Sequence, residues 1–123
     1  MRSQKVLVIE DDTWMNEVYV RTLRNAGFKV KVATNALEGM DMIDEYRPDV
    51  IVLDLYLPGP NAVVLLHELR SHVDLAVIPV VLSTNNAAEI SADALESYGV
   101  CSILDKTVMT PEDVVGAVRK VIL

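Results

Sequence analysis

The sequence predicts an α/β fold, an open parallel sheet with helices on both faces, and three observations carry that prediction. Short apolar runs alternate along the chain with segments of helical periodicity, the pattern of repeated βα units. Three of the runs, Val6 to Ile9, Val50 to Leu53 and Val77 to Leu82, are apolar on both faces, as strands covered by helices on both sides must be. Two others are more polar: Lys29-Val30-Lys31-Val32 alternates and Cys101-Ser102-Ile103-Leu104 is short and partly polar, so both read as sheet edges. With right-handed crossovers the five strands take the order 2-1-3-4-5, which makes the first and third strands neighbours at the switch point.

Each strand is followed by a helical segment. Met15, Val18, Tyr19, Leu23 and Ala26 recur at helical spacing and stop at Gly27, a natural left-handed cap; Asp12 or Thr13 caps the start. Leu37, Met40 and Ile43 form the apolar stripe of a second helix that ends before Pro48, and Ala62, Leu65, Leu66 and Leu69 that of a third. Ile90, Ala94 and Leu95 make a thinner stripe for a fourth. Val114, Val115, Val118, Val121 and Ile122 make a strong one for a fifth, entered through Thr110-Pro111, a cap followed by proline in the first turn. Trp14 is expected to pack within the first helix, the methionines and Tyr98 to be packing or surface residues, and Cys101 to be a buried, inert thiol.

The 123 residues, 51% of them hydrophobic, suit one domain spanning 1–123 with a real core. Lys and Arg number 11 against 18 acids, and this net negative charge argues against direct binding of nucleic acid or a membrane surface. A protein partner is expected instead. No secretory h-region and no apolar run near the ~20 residues that span a bilayer is found, so a cytoplasmic location is expected.

The chemistry collects at the strand ends. Glu10-Asp11-Asp12 follows the first strand, Asp54 the third, Ser83-Thr84 end the fourth, and Lys106 follows the fifth. In such a sheet these positions share one rim, outside the carboxyl ends of the strands. Acids gathered there repel one another unless a cation offsets the charge, and a hard one such as Mg²⁺ suits oxygen ligands. A nucleophilic carboxylate, acids for a metal, a hydroxyl and an amine are together what phosphoryl transfer to aspartate needs. His67 and His72 read as solvated residues.

The ordered set resembles the receiver domains of two-component response regulators over essentially the whole chain. Val6-Leu7-Val8-Ile9-Glu10-Asp11-Asp12 resembles the opening strand and acid pair, and Asp54-Leu55-Tyr56-Leu57-Pro58-Gly59 the phosphoacceptor and its loop. Pro79-Val80-Val81-Leu82-Ser83-Thr84 resembles the fourth strand with its switch hydroxyl, and Lys106 the family's lysine. Asp11 to Asp54 spans 43 residues, Asp54 to Thr84 spans 30 and Thr84 to Lys106 spans 22, in agreement with the family pattern. The resemblance implies a flavodoxin-like (CheY-like) three-layer α/β/α sandwich of five strands and five helices. It also implies an Asp54 phosphorylated by a histidine kinase or phosphotransfer protein, with Thr84 as switch hydroxyl and Lys106 as phosphoryl-binding amine. Mg²⁺ would be held by Asp11 directly, by Glu10 through water, and by Asp54 and the backbone carbonyl of Tyr56. Phosphorylation would then rearrange the face of the fourth helix, fifth strand and fifth helix, which a downstream protein, an output domain or a second copy in a weak homodimer would read.

Four positions depart from that family. Thr107 follows Lys106 where a proline with a cis bond is common, so a trans peptide or a reshaped loop is expected. Asn85 replaces a small residue after Thr84. Pro60-Asn61-Ala62 replaces a segment ending in glycine, and Ile103 an aromatic residue. Other functions fit less well. An aspartate-nucleophile phosphohydrolase resembles a pattern with a second Asp at position 56, which is Tyr here, and Glu10-Asp11-Asp12 would repel the phosphate of a flavin. A receiver-like interaction module that takes no phosphate is the remaining alternative.

Overall fold

Five parallel strands in the order β2-β1-β3-β4-β5 form one sheet, as the distribution of apolar runs predicts. The computed structural model describes residues 4–55, 62–85, 96 and 98–122. Its elements are β1 (Lys5–Ile9), α1 (Thr13–Asn25), β2 (Lys29–Ala33), α2 (Ala36–Tyr46), β3 (Val50–Asp54), α3 (Ala62–Arg70), β4 (Val80–Thr84), β5 (Val100–Asp105) and α4 (Pro111–Val121). Among the described residues there are thus four helices and not five. The stripe Ile90, Ala94 and Leu95 lies outside the described residues, so α4 is the helix expected as the fifth.

Strand alternation sorts the core into two layers. Val6, Val8, Val50, Val52 and Val81 pack with Tyr19 and Leu23 of α1 and Val114 and Val118 of α4. Leu7, Ile9, Ile51, Leu53 and Leu82 pack on the other side with Ile43 of α2 and Leu65, Leu66 and Leu69 of α3. The helix starts are fixed locally. Asp12 caps α1 by accepting from Met15 N at 3.0 Å, Asn35 caps α2 by accepting from Glu38 N at 2.9 Å, and Thr110 N donates to Asp113 Oδ2 at 2.8 Å. Past α1, Gly27 turns the chain at φ 98°, a conformation that a Cβ would strain.

Several expectations need correction. β4 begins at Val80 and not Val77, because Pro79 has no N–H for the ladder and Ile78 N turns back to Leu75 O; Val77 is exposed. Cys101 is exposed as well. The register of β4 with β5 passes from Val80↔Val100 to Val81↔Ser102, which makes Cys101 the extra residue of a bulge and turns it out of the ladder. Trp14 and Leu37 are about two-thirds exposed, at 68% and 67%, so neither is core.

Candidate functional site

The rim at the carboxyl ends of β1, β3, β4 and β5 carries the chemistry. Glu10 follows β1 and is buried, Asp54 is the last residue of β3 and buried, and Asp11 is exposed. One carboxylate oxygen from each lies within 4.8 Å of the others. The pairing of β1 with β3, in register from Val6↔Val50 to Ile9↔Leu53, brings these acids together although the sequence separates them. Lys106 reaches in from the end of β5. Its Nζ pairs with Glu10 Oε1 and lies 3.5 Å from Asp54 Oδ1. The backbone sets that reach, because Lys106 N donates to Thr84 O at 2.9 Å.

The electrostatics follow from burial. The Glu10 carboxyl is pushed up to about 7, first by its removal from water, next by the neighbouring Asp54, with Lys106 pulling the other way. Glu10 is also held through its backbone, its carbonyl accepting from Asn16 Nδ2 at 2.7 Å. Beneath the acids, the Tyr19 hydroxyl and Ser83 Oγ are 2.7 Å apart in a buried hydrogen bond. Burial pushes the Tyr19 phenol up to about 12, opposed by the Ser83 hydrogen bond and reinforced by the charges of Glu10 and Asp54.

The structure therefore brings together Glu10, Asp11, Asp54 and Lys106 and places Thr84, fully buried, at the end of the neighbouring strand. Tyr56, whose carbonyl was the remaining expected ligand, lies outside the described residues. After Lys106 the peptide is trans, as expected without proline, and the loop is closed by Thr107, whose N and Oγ1 both donate to Asp105 Oδ1 at 2.9 and 2.6 Å. These two bonds hold the Asp105 carboxyl below its ordinary range. Asn85 is exposed, and Ile103 packs against the α2 and α3 side of the core. Ala62 is helical and not at positive φ.

Asn16 and Tyr19, and the pairing of Tyr19 with the rim residue Ser83, were not legible from the sequence. Both Asn16 and Tyr19 sit in a helix whose apolar spacing reads as packing alone. The signal was parity: Glu10 extends the series Val6, Val8, and Asp54 extends Val50, Val52, so both follow the side of the sheet that α1 covers.

Comparison with known proteins agrees with this geometry. The model of the response regulator receiver domain matches residues 6–119. A probable transcriptional regulator ycf29 of Porphyra purpurea is 30% identical over 98% of this chain and 57% of its own length. The DNA-binding response regulator MtrA of Mycobacterium tuberculosis H37Rv is 30% identical over 67% of this chain and 36% of its own. The chain thus spans about half or less of the length of these curated relatives. Among solved structures, the chemotaxis response regulator CheY4 of Vibrio cholerae superposes with a TM-score of 0.89 at 22% identity, covering 98% of this chain and 99% of that one. The receiver domain of the sensor histidine kinase PA1611 from Pseudomonas aeruginosa, with a magnesium ion coordinated in its active-site cleft, gives 0.85 at 21% identity over 98% of each. At these identities the superpositions establish the fold. The match of the receiver model to nearly the whole sheet and its rim establishes the family: the chain belongs to the receiver domains of two-component response regulators.

Proposed function

We propose that Asp54 is the phosphoacceptor of this receiver domain and takes its phosphoryl group from a histidine kinase or a phosphotransfer protein. The observation that carries this reading is the convergence of the Lys106 ammonium on Glu10 and Asp54 inside a cluster of three carboxylates. An Asp54 oxygen attacks phosphorus in line. The new O–P bond forms as the bond from phosphorus to the donor imidazole nitrogen breaks, and the imidazole leaves with the bonding pair. Lys106 neutralises charge on a phosphoryl oxygen, and the Thr84 hydroxyl donates to another.

The donor set suits Mg²⁺, since Glu10, Asp11 and Asp54 offer only hard carboxylate oxygens within one ion's reach. Those residues, with the Tyr56 carbonyl, would hold it. When bound it offsets the repulsion between carboxylate and phosphate.

Drawing Thr84 toward the phosphoryl group would shift the strand end and so the face made by β5 and α4, a two-state element biased by local charge; the fourth helix expected to share that face lies outside the described residues. That face would be read by a downstream protein, by an output domain in a longer chain, or by a second copy in a weak homodimer. The names of the relatives suit a DNA-binding output module, whereas this acidic domain itself would contact protein. No described helix is long and apolar enough to cross a membrane, which agrees with a cytoplasmic location. The domain would regulate, not turn over a substrate.

Intact mass after incubation with Mg²⁺ and acetyl phosphate tests the reading. One added phosphoryl group that requires Mg²⁺ and is lost in Asp54→Ala is the expected result. No adduct, even with a phosphorylated kinase and rapid quench, would favour the interaction module that takes no phosphate.

A further inference from the structure

Two buried hydroxyls meet under the acids. The Tyr19 hydroxyl and Ser83 Oγ are 2.7 Å apart, and both residues are only 1% exposed. Ser83 is the register partner of Asp54 across β3 and β4. Its parity places it beside Asp54: Val52 and Val81 share the α1 side of the sheet, and Asp54 and Ser83 each follow two residues later. Alternation sends Thr84 to the other side, that of Leu82, so Thr84 has to move to meet a group on Asp54. Ser83 does not.

The surroundings choose the direction of the hydrogen bonds. Each hydroxyl has one proton to give, and an Asp54 carboxylate favours an O–H dipole with its positive end toward it. For Ser83 that means donating toward Asp54, which leaves Oγ to accept from Tyr19. The two bonds then polarise one another in the same sense.

We propose that Tyr19 and Ser83 form a hydroxyl relay toward Asp54, in which Tyr19 donates to Ser83 and Ser83 in turn donates to the phosphoryl group formed on Asp54. Ser83 is thus a fixed hydroxyl donor beside the mobile Thr84, and Tyr19 is its positioning residue. This rests on Asp54 being the phosphoacceptor.

The test is the phosphorylation rate constant of the full chain with acetyl phosphate at saturating Mg²⁺, read by rapid quench and intact mass, with Mg²⁺ affinity measured alongside. Ser83→Ala is expected to slow phosphorylation about tenfold or more, as loss of a donor aimed at developing charge does. Tyr19→Phe should slow it about three- to tenfold, and the double variant should be no slower than Ser83→Ala, because the two act as one unit. Mg²⁺ affinity should stay within about twofold, since neither side chain is a metal ligand, and Ser83→Thr should restore most of the rate by restoring a hydroxyl. Wild-type rate in Ser83→Ala, multiplying effects in the double variant, or slowing that merely tracks weaker Mg²⁺ binding would each overturn the relay while leaving Asp54 as acceptor. If Ser83→Ala does not fold, Tyr19→Phe and Ser83→Thr decide by the same criteria. A wild-type chain that takes no phosphoryl group would overturn both readings together.

Discussion

Charging Glu10 should work against the fold, and the effect can be measured without any phosphodonor. The folded protein keeps a proton on Glu10 up to about pH 7, against an ordinary value of 4.5. Between those limits the folded state binds more protons than the unfolded chain, so stability falls as pH rises from about 4.5 to 7 and is level above. At about 1.4 kcal/mol per pH unit, a rise from 4.5 to about 7 corresponds to at most about 3.5 kcal/mol. For a domain of this size that is a fall in Tm on the order of 10 °C.

The cause is the shell around Glu10, where Asp54 opposes the charge and Lys106 favours it, with Asp11 at the open side. Asp74 and Asp105 are held below their ordinary range, so their contribution is lost only in more acidic solution, and Tyr19 titrates near 12. Urea unfolding from pH 4.5 to 8 in chelator is the assay, with Glu10→Gln as the control that cannot titrate. A falling stability that flattens in Glu10→Gln is expected. Stability that rises across that interval, or falls identically in the variant, would refute the assignment of the slope to Glu10.

The same proton links to the metal. On the proposed reading Glu10 helps hold Mg²⁺ in its charged form, so affinity measured by titration should rise with pH up to about 7 and then level off, and it should lose that slope in Glu10→Gln. Asp12→Ala should cost about 1 kcal/mol in urea unfolding through loss of the α1 cap. The two described helical glycines should behave oppositely. A Cβ at Gly39 would meet Ile9 Cδ1 at 2.7 Å in a fully buried layer, so Gly39→Ala should lose about 1 kcal/mol net, whereas Gly116, with nothing within 4 Å, should gain about 0.5 to 1 kcal/mol as Ala. Equal stability changes at the two glycines would show that packing at Gly39 is not the cause.

The strand order was legible because it is written in one-dimensional terms: which runs are apolar on both faces and which are not. That pattern fixes β1, β3 and β4 as interior strands and, with the handedness of the crossovers, the order of all five. Glu10, Asp11, Asp54 and Lys106 were legible for a related reason, since the carboxyl end of every parallel strand lies on the same rim. Departures from regular pairing were not legible. The bulge that turns Cys101 outward depends on how β5 slides along β4, and the late start of β4 depends on Pro79 inside a run that otherwise reads as strand.

Tyr19 shows most clearly where one-dimensional reading stops. Its spacing with Met15 and Leu23 puts it on the apolar face of α1, and its ring does pack there. A buried phenol still needs a partner for its hydroxyl, and only the fold places Ser83, 64 residues away, against it. Had position 83 been apolar, like Val81 before it, Tyr19 would leave an unsatisfied hydroxyl in the core, at a cost of about 1 to 3 kcal/mol. Had position 19 been Leu, Ser83 Oγ would lose the hydroxyl that donates to it. Each residue is therefore explained by the other, and the register Asp54↔Ser83 sets the polar pair at the acceptor instead of deeper along the sheet, where the valines continue the core.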